Sequence, residues 1–132
     1  RKEKKAVWLA DSHKIHNFTN TIDAAKGTAI LGNTPEAYNQ IWHLPTDKTH
    51  MTGKLWIELF AKELNAKFAY REIPLWMLGL MGIFKPVLKE IKEMGYQFNR
   101  NYFFDSSKFE QKFEYTPFTP IESVKDIIKK LQ

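Results

Sequence analysis

The sequence predicts a small mixed α+β fold with three or four short strands, no large sheet and about five helices. Short runs of alternating apolar and polar residues, which favour strands, are interleaved with segments whose apolar residues recur at helical spacing. Hydrophobic residues make up 43% of the 132 residues and aromatic residues 14%, the composition of a folded core. At this length we expect residues 1–132 to form a single domain without internal repeats.

The first elements are a short strand and a helix of small residues. Residues 5–10 predict a strand, and residues 15–21 alternate weakly enough to be extended chain. Thr21 is placed to cap a helix with Asp23 in its first turn, where a carboxylate favours the helix dipole. Gly and Asn at residues 32–33 predict the end of that helix.

The middle of the chain predicts a turn, a strand and a second helix. Thr-Pro-Glu at residues 34–36 indicates a turn, and residues 39–44 are the clearest strand pattern, ended by Pro45. Thr52 is expected to cap the helix that follows. Its apolar positions have the spacing of one buried helical face: Leu55, Trp56, Leu59, Phe60 and Leu64.

The remaining elements are a strand and a series of helices. Residues 67–74 alternate and end at proline, which predicts a strand, and the most apolar segment, residues 73–84, predicts a buried or docking helix. Pro86 opens a further helix. Residues 103–108 are expected to be extended before a capped helical turn. Thr-Pro-Ile-Glu at residues 119–122 is a capping box that begins a final amphipathic helix.

Composition excludes several classes of function. The chain has no cysteine, which excludes disulfide scaffolds and thiolate chemistry and agrees with a cytoplasmic location. The net charge of +5 is concentrated in the first five residues and the last helix rather than in a basic stripe, so we expect no nucleic-acid partner. No apolar run reaches the ~20 residues of a membrane span. The chain does not begin with Met, and we expect a fragment or a removed upstream segment.

The sequence carries no catalytic motif of its own. No glycine-rich phosphate loop and no Gly-x-Ser-x-Gly element occurs. The serines lie at turns or helix starts, where capping explains them. Four histidines, at positions 13, 16, 43 and 50, form neither His-x-His nor His-Glu-x-x-His, and no acidic cluster adjoins them in the sequence. We therefore expect no catalytic residue, no cofactor-binding residue and no metal ligand in this chain.

Three stretches together resemble the C-terminal region of extended short-chain dehydrogenase/reductases, the NAD-dependent epimerase/dehydratase family. The first is His-Asn-Phe-Thr-Asn-Thr-Ile-Asp-Ala-Ala at residues 16–25. The second is Tyr-Asn-Gln-Ile-Trp-His-Leu-Pro at residues 38–45, followed by Met-Thr at 51–52. The third is Phe-Asp-Ser-Ser-Lys-Phe at residues 104–109, followed by Tyr-Thr-Pro and by Thr-Pro-Ile-Glu-Ser-Val at 119–124.

The resemblance implies that this chain is the substrate-binding part of an α/β parent enzyme. In such a parent an upstream Rossmann domain binds NAD or NADP with a Gly-x-x-Gly-x-x-Gly loop and carries the catalytic Tyr-x-x-x-Lys pair. Neither motif occurs here. The chain is then inactive alone, binds no cofactor itself, and has that Rossmann domain and the parent's small-molecule substrate as partners. An apolar face exposed by its separation from that domain would favour a homo-oligomer.

The resemblance also indicates substrate-binding residues. By spacing from Asp23, His16 stands where sugar-nucleotide epimerases have a phosphate-binding arginine. Because a neutral imidazole lacks the bidentate cationic fork, this argues against a nucleotide-sugar substrate. Arg100 is nearest to the family's second arginine. Three aromatic residues near it are candidates to line an apolar pocket: Trp76, Tyr96 and Tyr102. The alternatives for each are core packing or, for Arg100, a solvated loop.

A free-standing module remains the alternative to an enzyme part. In that case the apolar residues 73–84 form a surface for a protein partner or a small ligand.

Overall fold

The computed structural model of the chain describes residues 5–131 and confirms the mixed α+β class. A two-stranded parallel sheet pairs β1 (Ala6–Leu9) with β2 (Tyr70–Ile73). Six α-helices lie in the described part of the chain: α1 (Thr21–Gly32), α2 (Gly53–Glu63), α3 (Leu75–Met81), α4 (Pro86–Glu93), α5 (Ser107–Phe113) and α6 (Pro120–Leu131). Short 3₁₀ helices span Pro35–Ala37 and Met94–Phe98. None of these helices is long and apolar enough to cross a membrane.

The described residues divide into two compact units. The sheet unit comprises residues 5–16 and 51–102 and contains β1, β2, α2, α3 and α4. The helical unit comprises residues 17–50 and 103–131 and contains α1, α5 and α6. Each unit is therefore assembled from two separate pieces of the sequence.

The sheet unit is organised around parallel pairing of β1 with β2. Ala6 lies opposite Tyr70 and Leu9 opposite Ile73. As the sequence predicts, the Thr52 hydroxyl caps α2 by accepting a 3.3 Å hydrogen bond from the Leu55 N–H. The expected buried face of α2 is confirmed at Trp56 but not at Leu55 or Leu64, which are exposed.

Helix α3 presents most of its apolar residues to solvent. Leu78 is its one buried residue, whereas the Trp76 side chain is 69% exposed. Phe84, just beyond the helix, is 85% exposed. The buried alternative for residues 73–84 is therefore wrong at Trp76 and Phe84, and the docking alternative stays a prediction.

The helical unit has its core where α1, α5 and α6 supply buried side chains. Phe109 of α5 and Val124 of α6 are fully buried. The capping box that opens α6 is confirmed, because one Glu122 carboxylate oxygen accepts hydrogen bonds from both the N–H and the hydroxyl of Thr119. The cap of α1 is Asn20 rather than Thr21, since the Asn20 side chain accepts a 2.8 Å bond from the Ile22 N–H.

The strand predicted at residues 39–44 is absent. Asn39 adopts a left-handed backbone with φ of 58°, which interrupts an extended run. The Trp42 indole N–H instead donates to the Ala37 carbonyl at 2.9 Å, and its ring packs on Phe109 and Phe113. The apolar alternation of this segment thus serves side-chain packing on α5 rather than a sheet. Similarly, extended pairing near residue 15 is limited to two isolated bridges, Ile15 with Thr52 and His16 with Tyr102.

Candidate functional site

His16 and Tyr102, two of the sequence-predicted substrate residues, lie side by side in the sheet unit. The Tyr102 N–H donates a 2.8 Å hydrogen bond to the Ile15 carbonyl, and the His16 N–H donates a 2.9 Å bond to the Met51 carbonyl. This backbone pairing fixes the two side chains together, with their ring centroids 5.5 Å apart. The two side chains are therefore adjacent, and their role in binding substrate stays a prediction.

Aromatic side chains surround His16, which is buried. The Phe98 ring lies 5.0 Å from the imidazole centroid, and the Trp8 ring meets it edge-on at 6.3 Å. The indole N–H of Trp56 donates a 2.9 Å bond to the His16 carbonyl, which fixes the backbone at this position. The buried imidazole is therefore packed directly against aromatic rings in the sheet unit.

The other three predicted substrate residues are exposed. Trp76 lies on α3, Tyr96 lies in the 3₁₀ helix Met94–Phe98 with 60% of its side chain exposed, and Arg100 follows that helix. None of them shares the burial of His16. Their side chains therefore face solvent in this unit and are not part of its core.

A second group of polar side chains was missed by the sequence analysis. Asp11 and His13 follow β1, Glu72 lies near the end of β2, and one ligand-type atom from each lies within 4.8 Å of the others. The sequence shows no acidic cluster beside the histidines, but in the structure Asp11 and Glu72 both lie near His13. Glu72 is far away in the sequence, and only the parallel pairing of β1 with β2 brings it to this edge. The available signal was Asp-x-His directly after a strand.

Both carboxylates in this group are held ionised by local hydrogen bonds. The backbone N–H of His13 lowers the pKa of Asp11. Hydrogen bonds from the Ser12 side chain and backbone N–H lower the pKa of Glu72, and the backbone bond is 2.9 Å long. His13 Nδ1 lies 3.4 Å from Asp11 Oδ1 and 4.0 Å from Glu72 Oε1. The arrangement is a concentration of negative charge around one imidazole.

The Asp23 carboxylate links two segments of the helical unit by hydrogen bonds. This carboxylate is fully buried in the first turn of α1 and accepts a 2.7 Å bond from the Tyr115 hydroxyl and a 2.9 Å bond from the Phe118 N–H. Burial, reinforced by this bond to the carboxylate, raises the pKa of Tyr115 to about 12. The aspartate therefore ties the start of α1 to the turn before α6.

The segment after residue 38 joins the same unit through α5. The Thr46 N–H donates a 3.0 Å bond to the Ser106 hydroxyl, and both residues are buried. His43 Nδ1 lies 2.8 Å from the Asp105 carbonyl oxygen. These contacts join a loop of the first half of the chain to the start of α5.

A comparison with models of known protein families, and with characterised proteins, found no match for this chain.

Proposed function

We propose that the chain is the substrate-binding C-terminal part of an NAD(P)-dependent enzyme of the epimerase/dehydratase kind, inactive by itself. The observation that carries the proposal is the buried Asp23 carboxylate and its two donors, Tyr115 and Phe118. The aspartate and the tyrosine belong to two of the three stretches on which the resemblance rests. Those stretches are separated by 92 residues between Asp23 and Tyr115, yet they meet through a charged hydrogen bond.

The second stretch contacts the third within the same unit. The Trp42 ring packs on Phe109, and His43 lies against the Asp105 carbonyl. The residues that make these contacts all lie in the helical unit, and the contacts support reading the three stretches as one pattern. A buried carboxylate with two donors is also costly to alter.

In this proposal the two domains of the enzyme have different roles. The upstream Rossmann domain binds NAD or NADP and moves hydride, while the chain described here shapes the substrate site. His16 and Tyr102 supply hydrogen-bonding atoms between aromatic walls, and the exposed Trp76, Tyr96 and Arg100 contact substrate or the cofactor domain. We place the enzyme in the cytoplasm, with neither nucleic acid nor membrane as a partner.

Calorimetry on two forms of the protein tests this proposal. The 132-residue chain is expected to bind neither NAD⁺ nor NADP⁺, whereas the longer polypeptide that contains it is expected to bind one of them. In that longer form, Tyr102→Phe and His16→Gln should raise KM for the carbonyl or alcohol substrate and leave cofactor affinity unchanged. Leu64→Ala, at an exposed position on the C-terminal side of α2, serves as the matched control. Micromolar binding of dinucleotide by the 132-residue chain would overturn the proposal.

A free-standing interaction module is the second candidate, favoured by one specific observation. Six exposed apolar side chains follow one another from α3 to the start of α4: Trp76, Leu80, Met81, Ile83, Phe84 and Val87. Trp76 and Leu80 are four residues apart on α3 and share one face of that helix, while Ile83 and Phe84 lie between α3 and α4. Replacement of Trp76 and Phe84 by serine distinguishes the candidates. In a free-standing module these substitutions should abolish binding of the partner. In an enzyme part they should lower turnover, or weaken contact with the cofactor domain, in the longer polypeptide.

A further inference from the structure

We propose that Asp11, His13 and Glu72 form a binding site for a divalent transition metal ion of the Zn²⁺ class, at the carboxyl edge of the β1–β2 pair. The site does not rest on the proposed function, and it lies within the sheet unit. It combines one imidazole nitrogen with two carboxylates, a mixed donor set that suits Zn²⁺ and its neighbours better than Mg²⁺ or Ca²⁺.

The distances fit coordination of a single ion. Zinc bonds of about 2.0–2.2 Å place two tetrahedral ligand atoms about 3.3–3.5 Å apart. His13 Nδ1 and Asp11 Oδ1 are 3.4 Å apart, and Glu72 Oε1 is 4.0 Å from the same nitrogen. The 4.0 Å spacing is longer than this range, so Glu72 Oε1 has to move towards the imidazole to coordinate the same ion.

Two backbone N–H groups donate hydrogen bonds to the ligand carboxylates. The Ser12 N–H donates to Glu72 Oε1 and the His13 N–H donates to Asp11 Oδ1, both at 2.9 Å. Such bonds to ligand carboxylates orient them and keep them ionised, which is the role that outer-sphere partners have in metal sites. The carboxyl ends of parallel strands are also where α/β proteins place their ligand sites.

The carboxylates of Asp11 and Glu72 both lie within 4.0 Å of the His13 imidazole. Lys14 is the nearest counter-charge, with its Nζ 3.6 Å from Asp11 Oδ2. A bound divalent ion would replace this weak, exposed pair, so Lys14 competes with the metal. All three ligand side chains are partly exposed, and water would complete an open coordination sphere.

Titration with ZnCl₂ by calorimetry, and with Co²⁺ by visible absorption, tests the site. One equivalent should bind, and His13→Ala and Glu72→Gln should each weaken binding by about 10-fold or more. Lys14→Gln should strengthen it, because a competing cation is lost. His50→Ala and Glu58→Gln, at exposed positions outside the group, are the matched controls and should bind as the unaltered chain does.

The variants also separate this site from adventitious binding. If His13→Ala and Glu72→Gln bind Zn²⁺ as tightly as the unaltered chain, the proposal is wrong, and so it is if no ion binds. Circular dichroism of both variants should match that of the unaltered chain, because His13 is exposed and glutamine retains the oxygen that accepts from Ser12. Neither result for Zn²⁺ binding changes the outcome expected for NAD⁺ and NADP⁺ binding, so the two proposals can fail separately.

Discussion

The Tyr115 hydroxyl and the Asp23 carboxylate are joined by a 2.7 Å hydrogen bond between the turn that precedes α6 and the first turn of α1. The bond has an electrostatic consequence. Ionised Tyr115 would place a second negative charge against a buried carboxylate, in addition to the loss of hydration on burial. Both effects favour the protonated phenol, which is why its pKa is raised to about 12.

The raised pKa of Tyr115 predicts a loss of stability at high pH. The folded chain holds the proton more tightly than the unfolded chain, whose tyrosine has a pKa near 10. The contribution is therefore complete below pH ~10 and is lost as the pH rises towards about 12. Tyr115→Phe should lack this alkaline loss. Urea unfolding across the range measures it.

Tyr115→Phe should also destabilise the chain near neutral pH. A hydrogen bond to a charged group contributes about 1.5–3 kcal/mol, and phenylalanine keeps the ring packing while removing that bond. Tyr96→Phe is the control, since Tyr96 is exposed. Equal stability of Tyr115→Phe and the unaltered chain would show that the Asp23 bond contributes nothing.

The cap of α1 gives a second prediction that separates two neighbouring residues. Asn20→Ala should lower the free energy of unfolding by about 1 kcal/mol, because the Ile22 N–H loses its acceptor. Thr21→Ala should change the free energy of unfolding little, since Thr21 is the first helical residue and alanine is the better helix former. Chemical unfolding of the two variants compares them directly, and a larger cost at Thr21 would contradict the observed cap.

The elements fixed by local chemistry were predictable from the sequence. Pro86 at the start of α4, Thr52 as the cap of α2 and the Thr119–Glu122 box all act through neighbours a few residues away. The Asn20 cap was missed because Asn20 and Thr21 are both good capping residues, and only the backbone conformation distinguishes them.

The candidate sites required tertiary contacts that the sequence does not display. His16 and Tyr102 were named from the resemblance, but their adjacency depends on a bridge across 86 positions. The pairing of Glu72 with His13 depends in the same way on β1 lying beside β2. Residues 39–44 show the converse error, because alternation that favours a strand was used to pack Trp42 on α5.

Gly53 is predicted to tolerate no side chain. A Cβ at this position would overlap the six-membered ring of Trp8. Overpacking of this kind costs about 1–3 kcal/mol, so Gly53→Ala should be destabilised and should change the tryptophan fluorescence. Gly32→Ala is the control, because no atom lies within 4 Å of the added methyl group. It should be neutral or more stable, and similar losses in both variants would exclude Trp8 as the cause.

Ser106 shows how a residue suited to capping was used for a longer-range contact. Its hydroxyl makes no cap bond to α5 but accepts the Thr46 N–H at 3.0 Å and donates to Glu110 Oε1 at 2.6 Å. Ser106→Ala leaves the buried Thr46 N–H without that acceptor, which should cost about 1–3 kcal/mol.

Ser107→Ala is the matched control for Ser106, because the Ser107 hydroxyl bonds only to the exposed Asp105 carboxylate next to it. Hydrogen exchange adds a second measurement, since the Thr46 amide proton should lose protection in Ser106→Ala and keep it in Ser107→Ala. Retained protection in both variants would mean that the Ser106 hydroxyl does not hold this loop against α5. A selective loss would instead place the stability of the loop in one buried hydrogen bond between segments 60 residues apart.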